Sequence, residues 1–312
     1  MKKLLLLLSL LPLFSQAADY EKVSVEVTAE HLNESAYYIP GLSGSATEYE
    51  GFISNAGFIV TSEGVVVFDS LGTPSLANAM LREIRKVTDK PIKLVIVSHY
   101  HADHVYGLQV FKDEGAKIWA PKGAFDYLDS ETAPNLLESR RTDLYPWVND
   151  KTYLVKPDRI IDQDTEFSLG DNQFLLTYFG KVHSEGDMSL LSLNDQTLYS
   201  GDLIFEGRIP FVGDAHIIKW AKTLDRLRNI EMEYFVPGHG MASDQPQETM
   251  DLTYRYLNFL IKQLSVAVDE MTPFDETYTA IDWSEFEDEP AFDVANRKNA
   301  YAVYLYLERV LD

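Results

Sequence analysis

The chain has 312 residues, with 27 lysines and arginines against 49 aspartates and glutamates, which gives a formal net charge of −22. This acidic balance argues against a nucleic-acid partner, because a phosphate backbone is bound by clustered Lys and Arg. The chain contains no cysteine, which excludes disulfides, Cys-ligated metals and a cysteine nucleophile. Any bound metal must therefore be held by carboxylates and by the seven histidines.

The amino terminus has the pattern of a secretory signal peptide over residues 1–17. Lys2 and Lys3 precede an apolar run at residues 4–14, and small residues follow up to the predicted cleavage site after Ala17. The run is shorter than the roughly 18 residues that span a membrane. An uncleaved anchor is the alternative, which Pro12 within the run disfavours. The sequence predicts a periplasmic or secreted protein without stable membrane insertion after cleavage, whose mature part is residues 18–312.

The first half of the mature part predicts alternating strands and helices, which is typical of an α/β fold. Apolar runs and turn signals predict strands at residues 23–27, 37–39, 52–60, 65–69, 93–98 and 117–120. A helical period predicts helices at residues 75–87 and 104–112, and another helical region opens at Pro121. Residues 135–150 are polar and aromatic without a clear period, so we expect a loop there that lies over the functional site.

The second half predicts β-structure followed by helices. Strands are predicted at residues 166–169, 174–179, 188–193, 197–199 and 234–236, with a helix at 220–230 and a long helical stretch at the carboxyl end. No linker rich in Pro, Gly or Ser separates the halves, so we expect a single domain with a shared core. The acidic run at residues 282–289 is interpreted as a solvated loop.

Five of the seven histidines and two aspartates follow predicted strands. They are His99, His101, Asp103, His104, His183, Asp202 and His239. The first four come directly after the buried strand at 93–98, and the other three follow three later strands. Residues two apart in an extended loop point the same way, so His99 and His101 can reach one ion. Since open α/β sheets place their sites at the carboxyl ends of strands, the pattern predicts a metal site there.

These residues fall in four motifs whose order resembles that of the metallo-β-lactamase superfamily. The motif HxHxDH is present at residues 99–104, a later His lies in residues 180–187, the motif Ser-Gly-Asp ends at Asp202, and Pro-Gly-His-Gly surrounds His239. The resemblance extends over about residues 51–240. It implies an α/β fold of the family's type, a four-layer αββα sandwich, with a dinuclear site that usually holds zinc.

The same resemblance implies how the ligands are divided between two ions. It assigns the first ion to His99, His101 and His183, the second ion to Asp103, His104 and His239, and a bridging position to Asp202. We therefore expect two Zn²⁺ ions per chain, although ligand type alone leaves Fe or Mn open. The implied reaction is hydrolysis by a hydroxide that bridges the ions, without a covalent enzyme intermediate. Asp103 is the expected catalytic residue, because it can also orient the attacking water.

Other polar residues are candidates for supporting roles. Asp69 ends a buried strand and resembles the family's carboxylate that hydrogen-bonds a ligand histidine, although a turn cap is the alternative. Asp187 resembles a second supporting carboxylate. Arg208 is a candidate clamp for an anionic substrate group, with a structural ion pair equally open. His216 is a weaker candidate for substrate contact, and His31 is interpreted as a surface residue.

The branch of the superfamily is indicated by what the ligand set lacks. The absence of cysteine excludes the β-lactamase subclasses with a Cys ligand, and the remaining zinc subclass lacks the bridging carboxylate that Asp202 supplies here. His101 stands where flavodiiron oxidoreductases have Glu. Residues 201–214 and 299–308 resemble exported metallohydrolases of the SoxH and quinoprotein-relay type, whose substrates are poorly defined.

Three functions remain open at this level. The first is an exported dinuclear zinc hydrolase that acts on an ester, thioester or lactone-like bond of a small molecule. The second is a β-lactam-hydrolysing enzyme. The third is a metal-binding maturation or relay module with little turnover. The sequence predicts neither the substrate nor the oligomeric state.

Overall fold

The computed structural model describes residues 20–213 and 215–311, and the predicted signal peptide lies outside them. Seven strands form a first sheet: β1 Glu30–His31, β2 Ala36–Ile39, β3 Ala56–Val60, β4 Val65–Phe68, β5 Ile92–Ile96, β6 Lys117–Pro121 and β7 Arg159–Ile161. Five form a second sheet: β8 Thr165–Leu169, β9 Asn172–Gly180, β10 Asp187–Ser192, β11 Thr197–Tyr199 and β12 Tyr234–Val236.

Nine helices flank these sheets in the described residues. They are α1 Pro74–Val87, α2 Ala102–Val105, α3 Leu108–Asp113, α4 Ala124–Leu128, α5 Thr132–Asp143, α6 Ile217–Arg228, α7 Pro246–Asp269, α8 Phe274–Ala280 and α9 Phe292–Leu311. A 3₁₀ helix at Gly201–Leu203 follows β11. Among the residues with described structure, no helix combines the length and the apolar composition that crossing a membrane requires.

The first sheet is antiparallel from β1 to β4 and parallel from β4 to β7. Its neighbouring strands follow one another in sequence. In the second sheet β8 to β11 are antiparallel, and β12 adds in parallel to β11. The parallel strands β4, β5, β11 and β12 carry their following loops to one edge of the fold, which is where the predicted ligands lie.

Three apolar cores separate the layers. Successive residues of β4 alternate between two of them: Val65 and Val67 face the helices, whereas Val66 and Phe68 face the second sheet. The core between the sheets takes its other side from residues of β9 and β10 such as Leu176. A third core joins the second sheet to α6, α7 and α9. The layers are thus helix, sheet, sheet and helix.

Helix α1 shows why the sequence folds locally as predicted. The Oγ1 atom of Thr73 accepts a hydrogen bond of 3.1 Å from the Leu76 N–H, and Pro74 occupies the first turn, where no N–H is needed. Leu76, Met80 and Ile84 recur at helical spacing and are fully buried in the first core.

Two sequence expectations are wrong. Residues 23–27 form no strand, because the Ser24 N–H and hydroxyl bind the Glu50 carboxylate, while Val23 and Val27 enter the first core without strand pairing. The loop expected at residues 135–150 is instead helical up to Asp143. This helix buries Ala133 and Leu137 on one face.

A smaller difference concerns the helix predicted at residues 104–112. The structure divides it into α2 and α3 at Gly107, whose N–H donates to the Leu71 carbonyl. A Cβ at Gly107 would overlap the Ser70 carbonyl oxygen, so glycine allows this close approach. The division places the first turn of α2, with Asp103 and His104, beside the end of β4.

Helix α7 supports the segment that follows Asp202. The buried hydroxyl of Thr253 accepts a hydrogen bond of 2.9 Å from the Phe205 N–H and donates one of 2.8 Å to the Phe205 carbonyl. The indole N–H of Trp220 in α6 donates to the Leu203 carbonyl at 3.0 Å. These side chains add to the backbone hydrogen bonds that this segment makes with Gly238 and His239.

We expect Thr253→Val to lower the free energy of unfolding by about 1–3 kcal/mol, because it leaves both polar groups of Phe205 buried without a partner. Thr253→Ser is the matched control, since it keeps the hydroxyl and should lose less. Urea denaturation followed by circular dichroism measures both. A valine variant as stable as the wild type would contradict this role.

Candidate metal centre

Both sheets contribute to one polar cluster at the carboxyl ends of their strands. His99 and His101 lie in the loop after β5, and Asp103 and His104 lie in the first turn of α2. The other three ligand candidates, His183, Asp202 and His239, follow β9, β11 and β12. Apart from Asp103 and His101, all of these side chains are buried. The structure thus brings together all seven residues that the sequence predicts.

Asp202 lies at the centre of the cluster. Its Oδ2 atom is 3.3 Å from Nε2 of His183, 3.3 Å from Nε2 of His239 and 3.7 Å from Nε2 of His99. Its Oδ1 atom is 3.0 Å from Nε2 of His104. Asp202 therefore contacts histidines from both predicted ion sites, as a bridging ligand must.

The ligand atoms separate into two groups, each within 4.8 Å of one another. The first contains His99, His101, His183 and Asp202, and the second contains Asp103, His104 and His239. In the second group, Oδ2 of Asp103 lies 3.6 Å from Nε2 of His104 and 3.5 Å from Nε2 of His239. This grouping agrees with the division that the family resemblance implies.

Several buried atoms of the cluster have no hydrogen-bond partner in the described part of the chain. They are Nε2 of His99, Nε2 of His104, Nδ1 of His183 and Oδ1 of Asp202. In addition, Nε2 of His183 faces Nδ1 of His101 at 3.1 Å, so two ring nitrogens meet. Buried polar atoms are normally satisfied, and converging nitrogen and carboxylate lone pairs are satisfied by a cation. The donor set therefore fits metal ions.

The charges in the cluster also favour a cation. Burial lowers the pKa of His104, but Asp202, Asp103 and Asp69 more than compensate and hold it well above its usual value. Burial raises the pKa of Asp202, whereas His239, His104 and His99 hold it well below its usual value. For His99, burial and the neighbouring His104 and His101 lower the pKa. His99 is thus neutral and presents a lone pair.

Asp69 orients ligands of both groups. Its Oδ2 atom accepts a hydrogen bond of 2.8 Å from Nδ1 of His104 and one of 2.7 Å from the Ser98 hydroxyl, while its Oδ1 atom accepts from the Ser98 N–H at 2.7 Å. Because the Ser98 hydroxyl donates to Asp69, it can accept from Nδ1 of His99 at 2.9 Å. In the neutral form of each ring, the proton is thereby placed on Nδ1 and Nε2 is directed into the cluster. On His104, whose pKa is raised, a metal ion would take the place of the Nε2 proton.

The backbone of Asp69 is part of this arrangement. Its φ of 61° lies in the left-handed region, which Asp and Asn tolerate better than other residues. Burial raises the pKa of the Asp69 carboxyl, and His104 opposes this shift. The predicted role of Asp69 beside a ligand histidine therefore agrees with the geometry, and the alternative of a simple turn cap does not explain its contacts.

Other supporting residues were missed by sequence reasoning. Nδ1 of His239 donates to the Ile53 carbonyl at 2.6 Å, which leaves Nε2 for a metal. Asn55 donates to the carbonyls of Pro237 and Gly240, each at 2.8 Å, and so fixes the loop that carries His239. The only sequence signal was the Pro-Gly-His-Gly motif: a Cβ at residue 238 would overlap Oδ1 of Asp202.

Asp187 acts through the backbone. Its carboxylate accepts hydrogen bonds from the N–H groups of Val182 and Ser184, at 3.1 and 2.8 Å, and from the Ser184 hydroxyl at 2.9 Å. These bonds shape the turn that carries His183 without contacting a ligand atom. Burial raises the pKa of this carboxyl, and the nearby His183 opposes the shift.

The remaining candidates lie at different distances from the cluster. Arg208 is partly buried. Burial lowers the pKa of its guanidinium, and the charges of Asp202 and Asp103 partly oppose this shift. His216 caps α6, and its ring centroid lies 5.4 Å from that of Tyr306 in α9, so the structure places it against the helices. His31 is exposed in β1, as expected.

Residues 49–239 match the Metallo-beta-lactamase superfamily, and this match covers more than half of the chain. The chain belongs to the metallo-β-lactamase superfamily. Its relatives include the Metallo-beta-lactamase type 2 of Elizabethkingia meningoseptica, which is 27% identical over 239 residues, covering 74% of this chain and 86% of that protein. The Metallo-beta-lactamase type 2 of Bacillus cereus is 24% identical over 208 residues, 65% of this chain and 71% of that protein.

Solved structures show the same fold. The stereoselective inverting sec-alkylsulfatase Pisa1 from Pseudomonas sp. matches with a TM-score of 0.71 at 17% identity over 90% of this chain, which spans only 50% of that protein. The Metallo-beta-lactamase from Pontibacter korlensis matches with a TM-score of 0.57 at 19% identity, over 75% of this chain and 99% of that protein. The predicted αββα sandwich is confirmed, and the chain is a metal-dependent hydrolase.

We expect Asp69→Asn to weaken metal binding about tenfold to hundredfold, the usual effect of removing a carboxylate that orients a ligand histidine. The asparagine tolerates the left-handed backbone. Its NH2 group, however, takes the place of one carboxylate oxygen and cannot accept the hydrogen bonds that now reach Oδ2. Zinc titration against a chromophoric chelator measures the affinity.

The matched control for this experiment is Asp171→Asn. The Asp171 carboxylate is fully exposed and accepts a hydrogen bond from the Ser62 N–H at 2.9 Å. Asp171 lies in the turn before β9, whereas His183 follows the opposite end of that strand. This variant should bind zinc as the wild type does. Equal affinities in the Asp69 and Asp171 variants would contradict an orienting role for Asp69.

Proposed function

We propose that this protein is a dinuclear zinc hydrolase that cleaves an ester, thioester or lactone-like bond in a small molecule. The observation that carries this proposal is the position of Asp202 between two groups of histidines, within 3.0–3.7 Å of four ring nitrogens. A single carboxylate between two complete ligand groups suits a pair of ions and has no evident structural use otherwise.

Zinc is supported by the spacing of the ligand atoms. A tetrahedron with Zn–N and Zn–O bonds of about 2.0–2.1 Å has edges of about 3.3–3.4 Å. The distances between carboxylate oxygens and ring nitrogens of the cluster run from 3.0 to 3.7 Å and bracket this value. Imidazole and carboxylate ligands without thiolate suit zinc, and Fe or Mn is the alternative.

When bound, a pair of zinc ions would supply a water of lowered pKa and would polarise the carbonyl oxygen of the substrate. The chain itself orients this water. Asp103 is suited to the task, because its side chain is 21% exposed whereas that of Asp202 is 4% exposed. Oδ2 of Asp103 faces His104 and His239, so its other oxygen can accept the proton of the attacking water.

The remaining residues hold the reacting groups in place. Ser98 and Asp69 fix the rings of His99 and His104, so no reorganisation of these side chains accompanies the reaction. Burial of the cluster strengthens each electrostatic interaction within it. We expect the bond to be cleaved without a covalent intermediate on the protein. The chain has no cysteine, and the Ser98 hydroxyl is bound to Asp69 and to Nδ1 of His99, on the side of that ring away from Asp202.

We propose that the protein is exported by its first 17 residues. The support is the sequence alone: Lys2 and Lys3, the apolar run and the small residues that end at Ala17. A dinuclear site without thiolate suits an oxidising compartment, since none of its ligands can form a disulfide.

Hydrolysis by this site should depend on His183. We expect His183→Ala to reduce turnover of a para-nitrophenyl ester to that of a chelator-treated sample and to lower the zinc content. His31→Ala is the matched control, since His31 is exposed in β1 and should leave both unchanged. Asp103→Ala should likewise lose turnover. Wild-type turnover in either site variant would refute the proposed mechanism.

A second candidate function is β-lactam hydrolysis, which the 27% identity to a metallo-β-lactamase of type 2 favours. The absence of cysteine and the presence of Asp202 in a bridging position disfavour it. We expect the zinc-loaded protein to turn over at least one member of a panel of esters, thioesters and lactones, and not the chromogenic cephalosporin nitrocefin.

The same panel separates the remaining alternatives. Nitrocefin turnover above that of the ester panel would replace the proposal by β-lactam hydrolysis. Two bound zinc ions without turnover of any substrate would favour a metal-binding maturation or relay module. Zinc content is measured by atomic spectroscopy on the same samples.

A further inference from the structure

Arg208 is a cation near the metal centre for which the described residues supply no carboxylate partner. It lies six residues after Asp202, its side chain is partly buried, and its Nε and Nη1 atoms are shielded from water without a hydrogen bond. Within the described residues its guanidinium makes no ion pair, whereas Arg85, Arg226 and Arg255 each pair with a carboxylate. Buried guanidinium N–H groups without an acceptor are unfavourable, so this side chain is suited to an external acceptor.

The charges around Arg208 indicate the sign of that acceptor. The carboxylates that act on it are Asp202 and Asp103, which are also the carboxylates of the two ligand groups. Metal ions on these carboxylates would neutralise the charge that faces the guanidinium. Arg208 and the ions then present positive charge to one cleft, which an anionic group of a substrate would balance.

The segment that carries Arg208 is fixed rather than mobile. The Ile209 N–H donates to the Pro290 carbonyl at 2.9 Å. Asn299, buried in α9, donates to the Pro210 carbonyl at 2.7 Å and accepts from the Val212 N–H at 3.0 Å. Residues 208–212 are therefore preorganised beside the metal centre. We call these residues the wall, and the space between them and the ligands the cleft.

Phe211 gives this wall an apolar part. Its side chain is 52% exposed, and its ring centroid lies 6.2 Å from that of His101. A large apolar side chain held in solvent next to a ligand histidine offers a surface for an apolar group of the substrate. Phe211 contacts His101 and Arg208 is acted on by Asp202, which belong to the same ligand group, so one small molecule at this group can contact both side chains.

We propose that the substrate of this site is an amphiphilic ester, whose oxyanion group binds Arg208 and whose apolar group packs on Phe211. This proposal rests on the proposed hydrolase function and adds the class of substrate. Sulfonate-like and carboxylate groups share the required chemistry, namely a negative charge spread over several oxygen acceptors.

A binding experiment tests the proposal without turnover. The probes are hexanesulfonate and hexanoate, with acetohydroxamic acid as a probe of the metal centre that has no anionic tail, each titrated calorimetrically into zinc-loaded protein. We expect Arg208→Met to weaken binding of at least one anionic probe about tenfold or more, with unchanged zinc content and unchanged hydroxamate binding. Arg255→Met is the matched control, because this exposed Arg in α7 pairs with Asp251 and Glu285.

The outcomes of this experiment are distinct. A larger loss for hexanesulfonate than for hexanoate identifies a sulfonate-like group, and the reverse identifies a carboxylate. The proposal would be overturned if neither anion showed a change in Kd between the wild type and Arg208→Met. It would also be overturned if acetohydroxamic acid lost as much affinity as the anions.

A kinetic arm separates this proposal from the proposed function. Para-nitrophenyl hydrogen succinate and para-nitrophenyl butyrate differ in one terminal charge, and we expect Arg208→Met to lower kcat/KM about tenfold for the former only. Equal loss for both esters would overturn the clamp. If the wild type cleaves no member of the ester, thioester and lactone panel, the proposed function fails, while the calorimetric result still decides whether Arg208 binds anions.

The apolar contact has its own test. In the wild type, affinity for alkanesulfonates should rise about threefold to fourfold per added methylene, and this gain should shrink in Phe211→Ala. Tyr301→Ala, which truncates an exposed aromatic of α9, is the control. The same gain per methylene in wild type and Phe211→Ala would overturn the role of Phe211.

Discussion

The contact of one buried carboxylate, Asp202, with histidines from both halves of the fold is the interaction on which the site depends. Asp202 follows β11 in the second sheet, whereas His99 and His104 follow β5 in the first. Neither half contains a complete ligand set, so the site exists only when the two sheets pack face to face. The core between the sheets therefore has a chemical consequence: its thickness sets the distance across which the ligands meet.

This convergence of charge would be unfavourable without a second set of contacts. Buried imidazoles and carboxylates lose hydration, and they are retained because each is oriented by a fixed partner. Asp69 orients His104 directly and His99 through Ser98, and the Ile53 carbonyl orients His239. The backbone beyond Asp202 is held in turn by Thr253 and Trp220. Order in the cluster thus derives from residues that contribute no ligand, some in loops next to the strands and some in helices α6 and α7.

The sequence predicts the convergence of the seven ligand candidates, because each of them belongs to a local pattern. Each follows a buried apolar strand, and His99 to His104 lie within one short motif. The sequence-based prediction fails where a contact between residues distant in the chain determines the local structure. Val23 and Val27 alternate with polar residues as in a strand, yet Glu50 takes the backbone contact that a neighbouring strand would make. The helix at Thr132–Asp143 has too weak an apolar period to be recognised. The roles of Asn55 and Asn299 depend on partners about 90 to 180 residues away, which no local pattern reveals.

The attachment of residues 209–212 to Asn299 separates two properties along the chain. All candidate metal ligands lie at or before His239, whereas the side chain that fixes the cleft wall belongs to the last helix. Replacement of α9 alone would therefore reshape the segment that carries Arg208 and Phe211 while the ligands stay untouched. In evolutionary terms, changes in the last helix can alter which substrates are admitted without changing any residue that cleaves the bond.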